Sequence, residues 1–147
     1  MKFLSTVVFL LVTAYCSGQV VKDADVPAVV KATALKQNKN EAVQSWVLDK
    51  NRGKYIATTL RSNTLRGIEV SFDGKWLQTT ESILPHNMPP VVMNAAKSAC
   101  PAHELSNLFY ITQPEKAAYY TIDASSDDED VTLTIDPSGK ILEKEVQ

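Results

Sequence analysis

Ile68-Glu69-Val70-Ser71-Phe72-Asp73-Gly74-Lys75-Trp76-Leu77 and Val131-Thr132-Leu133-Thr134-Ile135-Asp136-Pro137-Ser138-Gly139-Lys140-Ile141-Leu142 are two versions of one phrase. Each alternates apolar and polar residues, turns at an Asp and a Gly, and returns through Lys into apolar residues. Alternation with period two marks a half-buried strand, and Asp73-Gly74 is a strong tight-turn dipeptide. The phrase predicts a β-hairpin in each half of the chain.

The echo extends outward from this phrase. Val26-Pro27-Ala28-Val29-Val30 returns 62 positions later as Met88-Pro89-Pro90-Val91-Val92. Ser45-Trp46 aligns with Leu108-Phe109, and Lys54-Tyr55-Ile56 with Ala118-Tyr119-Tyr120. The offset drifts from 62 to 65, as short loop insertions would cause. Self-similarity at such a period points to a duplicated supersecondary unit. The expected units are residues 19–83 and 84–147, with a linker over Glu81 to Asn87.

Each unit opens on a proline, which suits a first helical turn because its missing N–H would have no partner there. The stripes Val26, Val29, Val30, Thr33, Ala34 and Met88, Val91, Val92, Ala95, Ala96 have the helical period. Asn38-Lys39-Asn40 ends the first helix and Pro101 the second. Strands are expected at 43–48, 54–60, 67–72 and 75–80, then at 108–112, 117–123, 130–135 and 140–145. Ile68, Val70 and Phe72 should share one face. The fold class is α+β: a tandem repeat of two helix-plus-four-stranded antiparallel sheet units, with the helices on one face.

Composition narrows the function. The chain has 147 residues, 44% hydrophobic and 22% charged, with 15 basic and 17 acidic residues. A net charge of -2 leaves no basic surplus to neutralise a phosphate backbone, so nucleic acid is not an expected partner. Met1-Lys2-Phe3, the apolar run Val7 to Val12 and the small or polar stretch Thr13 to Gly18 form a secretory signal peptide over residues 1–18. That run falls short of the about 20 residues that span a bilayer, so no integral membrane segment is expected. Export to the periplasm or beyond follows, with lipidation at Cys16 as the lesser alternative. Cleavage after residue 18 leaves 14 basic against 17 acidic residues, a net -3, and leaves Cys100 as a lone thiol.

No constellation in the sequence carries chemistry. His86 and His103 have no partners at ligand spacing and read as surface histidines. Cys100 reads as a buried small hydrophobe. Asp127-Asp128-Glu129-Asp130 lacks the alternate spacing and Gly of a calcium loop and reads as a solvated turn. No enzyme, cofactor or metal is implied. Trp46 and Phe109 read as equivalent core aromatics, as does Trp76. Of the adjacent Tyr119 and Tyr120, one must face the open side of a strand, and Tyr120 is the candidate partner anchor.

With these landmarks, the chain resembles the PepSY-like family of secreted bacterial proteins, themselves similar to β-lactamase-inhibitor proteins. The matching residues are Val26-Pro27 to Lys31, Ser45-Trp46, Gly53-Lys54-Tyr55, and Phe72 to Leu77 with Glu81 and Ile83, then Met88-Pro89 to Val92, Ala95 and Asp136 to Leu142. The resemblance implies tandem helix-on-sheet units that bind another protein and do no chemistry, and it carries over no catalytic residue. In the inhibitor group, hairpin loops reach from the sheet edge into the target. The corresponding segments are Asp49 to Gly53 and Gln113 to Lys116. Candidate contact residues are Asp49, Lys50, Arg52, Pro114, Glu115 and Tyr120. The expected function is an exported, monomeric, non-enzymatic protein-binding module acting on an envelope or secreted enzyme such as a peptidase. The alternative is a periplasmic small-ligand or peptide-binding protein using a concave sheet face.

Overall fold

The structure, a computed structural model, describes residues 18–147. The signal peptide and Cys16 expectations concern residues outside those described. Among the described residues nine strands follow one another in the order β1 to β9, each hydrogen-bonded to the next in an antiparallel sheet, with two α-helices. The described residues divide into two compact units: 18–60 with Gly67–Leu77, and Arg61–Arg66 with Gln78–Gln147.

The first unit holds β1 (Gln19–Val21), α1 (Ala28–Gln37), β2 (Ser45–Asp49), β3 (Lys54–Arg61) up to Leu60 and β4 (Thr64–Ser71) from Gly67. Pro27 sits at the helix N-cap and its carbonyl accepts the Lys31 N–H at 3.0 Å. At the other end Lys39 and Asn40 take positive φ, and the Asn40 N–H reaches back to the Leu35 carbonyl at 2.9 Å, closing the helix. Val30 and Ala34 of α1 pack with Val26, Trp46, Ala57, Ile68 and Val70, with Tyr55 and Trp76 at the margin. A short 3-10 turn, Asp23–Asp25, precedes the helix. Its Asp23 carboxylate accepts the Trp46 indole N–H at 3.0 Å and pairs with Lys31 at 3.1 Å. Those two hydrogen bonds hold the Asp23 carboxyl below its ordinary range, Lys31 contributing most.

The Asp73-Gly74 turn forms as expected and is seated on the helix. Thr33 Oγ1 donates to the Gly74 carbonyl at 2.6 Å, and Gly74 has φ +86°. A Cβ there would lie 2.4 Å from Val29 Cγ2, so only glycine fits both the turn and the contact.

The second unit holds β5 (Trp76–Ser82) from Gln78, α2 (Pro90–Ala99), β6 (Glu104–Thr112), β7 (Tyr119–Ser125), β8 (Asp130–Ile135) and β9 (Ile141–Val146). Val92 and Ala96 of α2 pack with Cys100, Leu108, Tyr120, Ile122, Ala124, Val131, Leu133 and Ile135. The 136–140 turn is fastened by Asp136, whose Oδ1 accepts the Ser138 and Lys140 N–H groups at 2.8 and 3.0 Å. Gly139, at φ +88°, lies against Val91 of α2.

The structure departs from the sequence expectations at several places. β1 is an additional strand, formed because Val20 and Val21 pair with Val47 and Trp46. The expected linker over residues 81–87 begins as strand: β5 runs to Ser82, with Ser82 opposite Phe109, and Glu81 pairs with Arg66. Pro85–Asn87 is then a 3-10 turn. Phe72 lies beyond the end of β4 and is 47% exposed, its ring tilted against Tyr55. Phe109 is outside the helix-facing core because the β6–β7 register shifts between Ser106 and Phe109, where Asn107 has φ +47°. That bulge turns Leu108 inward in its place. Ile141 is exposed on β9, whose six residues are all exposed.

Candidate protein-contact site

The β2–β3 hairpin presents Lys50, Asn51 and Arg52 to solvent. Asp49, expected as an exposed contact, is only 3% exposed. Its Oδ1 accepts the Arg52 backbone N–H at 3.1 Å, and its Oδ2 lies 3.9 Å from Arg52 Nε. A carboxylate so placed substitutes for a backbone acceptor inside the turn and fixes where the tip side chains start. Gly53, at φ +65°, completes the reversal, and its carbonyl accepts the Phe72 N–H at 3.2 Å. Below the tip, Lys54 is the cross-strand partner of Asp49 and pairs with Glu69 at 2.5 Å. Their side chains are 11% and 18% exposed. The tip is thus a pair of exposed cations on a fastened base.

The β6–β7 loop presents Pro114, Glu115 and Lys116, all exposed, with Glu115 at φ +59°. Gln113 anchors its start by donating from Nε2 to Gln78 Oε1 at 2.8 Å. Tyr120 does not project toward a partner. It is 9% exposed, packs in the α2-facing core, and its ring lies 5.0 Å from that of Tyr110. Burial, with Tyr110 beside it, pushes the Tyr120 hydroxyl above its ordinary range. Tyr119 takes the opposite face with Ile111 as its cross-strand partner, and partial burial raises its hydroxyl as well. The half-buried aromatics on the face turned away from α2 are therefore Phe109 and Tyr119. The parity of β7 could have assigned Tyr119: Ile122 and Ala124 are apolar and share a face with Tyr120, not Tyr119.

The remaining candidates belong to other segments of the chain. His86 is exposed in the 85–87 turn. His103 is not a surface histidine: its side chain is 10% exposed, with Nε2 3.4 Å from Glu129 Oε1 and no hydrogen bond at either nitrogen. Cys100 is buried. In the 126–130 turn, Ser126 Oγ accepts the Asp128 and Glu129 N–H groups; Asp127, Asp128 and Asp130 are exposed, while Glu129 is half-buried beside His103. Among the described residues no group of three His, Cys, Asp or Glu side chains is placed to share a metal ion. No helix of the described residues is long and apolar enough to cross a membrane.

No family model matches the chain, and no curated protein does. Solved structures do match. A BLIP-like protein from Bacteroides fragilis NCTC 9343 superposes with a TM-score of 0.71 at 17% identity, over 82% of this chain and 85% of that one. A DUF2874 family protein from Bacteroides ovatus ATCC 8483 gives 0.71 at 22% identity, over 82% and 86%. A proposed periplasmic protein from Bacteroides eggerthii DSM 20697 gives 0.71 at 17% identity, over 82% and 88%. The fold is BLIP-like, and its described residues form an antiparallel sheet of nine strands with two α-helices.

Proposed function

We propose that this chain is an exported, non-enzymatic protein-binding module that modulates an envelope or secreted enzyme such as a peptidase. In this reading residues 1–18 are a removed signal peptide. Residues 19–83 and 84–147 are then two PepSY-like repeats of one helix and four strands, with β1 added to the first, acting as a monomer. The observation that carries the reading is the β2–β3 tip, where exposed Lys50 and Arg52 stand on a turn fastened by buried Asp49. A pre-organised tip loses little freedom on docking, which favours its use in contact. The BLIP-like fold and a structural neighbour described as a proposed periplasmic protein support the reading. Pro114 and Glu115 form the second proposed contact loop. Asp49 and Tyr120 serve from below, as supports for the turn and the core.

The test is capture from the envelope fraction of the producing cell by residues 19–147. A second bait carries Lys50→Ala, Arg52→Ala and Glu115→Ala, with its melting temperature matched to the first. A protein held by the first bait and lost by the second supports the reading. Equal capture, or none, refutes it.

A second reading, a small-ligand or peptide-binding protein using the sheet face, is favoured by the pairing of Phe109 and Tyr119 on the face opposite α2. Saturable binding abolished by Phe109→Ala with Tyr119→Ala, and untouched by the tip substitutions, would establish it instead.

A further inference from the structure

The face of β6–β9 turned away from α2 carries charge of one sign. Strand register puts Ser106, Asp123, Thr132 and Glu145 in one row across it. Phe109, Thr121, Thr134 and Glu143 form the next row, while Glu104, Ser125 and Asp130 form the row on the other side. Five carboxylates thus lie on this face: Glu104, Asp123, Asp130, Glu143 and Glu145. The lone lysine or arginine of these four strands, Lys144, is opposite Leu133 on the other face, with Nζ 3.5 Å from the Ala99 carbonyl. Asp123 is satisfied by Asn107 and Thr132 at 2.9 Å each, whereas Glu143 and Glu145 are exposed on the last strand.

Among the described residues that last strand is also a free edge. β9 follows β8 at the end of the strand order and all six of its residues are exposed. Such a strand turns alternate N–H and C=O groups outward, where an extended chain can pair with them. β1, at the other end of the order, is only three residues long and offers little to pair with.

A second copy of this chain is a poor occupant. In a two-fold antiparallel pairing, paired residues must share a face, so their numbers sum to an even value. A register centred on Glu143 opposes Glu143 to itself, and one centred on Glu145 does the same. One centred on Lys144 opposes Lys144 to itself and Glu143 to Glu145, and those centred on Ile141, Leu142 or Val146 pair no more than three residues of β9. Like charges directly opposite each other are unfavourable. The occupant that fits has basic residues at alternate positions.

We propose that β9 accepts, by strand addition, an extended segment of another protein with Lys or Arg at alternate positions, whose side chains lie over Glu143 and Glu145. This rests on the protein-binding reading but uses a different surface from the hairpin tips. The probe is a short capped peptide of alternating Thr and Lys, offered to residues 19–147 at low salt. Three comparisons accompany it: an alternating Thr–Glu peptide, the Thr–Lys peptide N-methylated at every second amide, and the variant Glu143→Lys with Glu145→Lys. Both substituted side chains are exposed, and an unchanged melting temperature verifies the fold.

The expected result is saturable binding of the Thr–Lys peptide, with slowed amide exchange confined to Ile141–Val146. Affinity should drop about tenfold or more in the variant and be lost on N-methylation. Absence of binding, equal binding of the Thr–Glu or N-methylated peptide, protection outside β9, or an unaffected variant overturns the proposal. Lys50→Ala with Arg52→Ala should leave peptide binding unchanged. Failure here with the tips still binding a partner discards the β9 site alone.

Discussion

Replacing Gly74 by alanine tests how the Asp73-Gly74 turn holds α1. The added Cβ would stand 2.4 Å from Val29 Cγ2 and 3.3 Å from its Cβ and Cγ1. Gly74 also has φ +86°, which costs an L-residue about 1–2 kcal/mol by itself. Forcing a methyl against a side chain stiff at χ1 adds about 1–3 kcal/mol. Together the substitution should cost about 2–5 kcal/mol and lower the melting temperature by on the order of 10 °C. Gly53 is the internal control. It has φ +65° but nothing within 4 Å of where a methyl would stand, so Gly53→Ala should cost the backbone share alone. Val29 is half exposed, so Val29→Ala is mild, and it should return about 1–2 kcal/mol in the Gly74→Ala background. At Gly139 the methyl would meet the Val91 carbonyl oxygen at 3.0 Å as well as Cγ2 at 2.8 Å. Val91→Ala should therefore rescue Gly139→Ala less completely. Urea unfolding followed by circular dichroism measures all of these. Equal costs for Gly74→Ala and Gly53→Ala, or no coupling to Val29, would refute the packing argument.

Other predictions concern the same supports. Asp49→Ala should destabilise by about 1–3 kcal/mol because the Arg52 N–H loses its acceptor; Asp49→Asn, which keeps an oxygen there, should cost less, as urea midpoints would reveal. Tyr120→Ala should cost about 3–5 kcal/mol as a core truncation, and Tyr119→Ala, on the opposite face, clearly less; comparable costs would contradict the assigned faces. Hydrogen bonds hold Asp23, Asp73 and Asp136 below their ordinary values, led by Lys31, Ser71 and Ser138 respectively. A lowered folded value means stability that is present above the unfolded value and lost as pH falls through the folded one. Melting temperature should accordingly fall below about pH 4, and less so in Asp136→Asn; a decline identical in wild type and variant would count against the Asp136 assignment.

Which parts of this fold are legible in the sequence follows from how local their causes are. The turns at Asp73-Gly74 and Asp136 to Gly139 depend on residues within them, and Pro27 and Pro89 mark helix starts through their own missing N–H. The strand 130–135 has the bounds its alternation predicts, because that alternation is uninterrupted. Phe109 misleads because a bulge two residues earlier reverses the parity of β6, and only pairing with β7 exposes that shift. β1 has too few residues to signal a strand and gains its form from β2. Asp49 has the type and spacing of a solvated turn residue. Its burial arises from the way the turn folds its carboxylate back onto the Arg52 N–H. The contact reading of Lys50, Arg52, Pro114 and Glu115 thus keeps exposed side chains, while Tyr120 gives its place on the open face to Tyr119.

The most direct measurement is position-specific photo-cross-linking in intact cells, with the reactive group placed at Lys50 or Lys116 on the two tips. Lys36 and Lys97, exposed on the helices, serve as controls. The account predicts an adduct with one and the same protein from the tip positions and none from the helix positions. Adducts shared equally by all four positions, or formed from the helices alone, would contradict it.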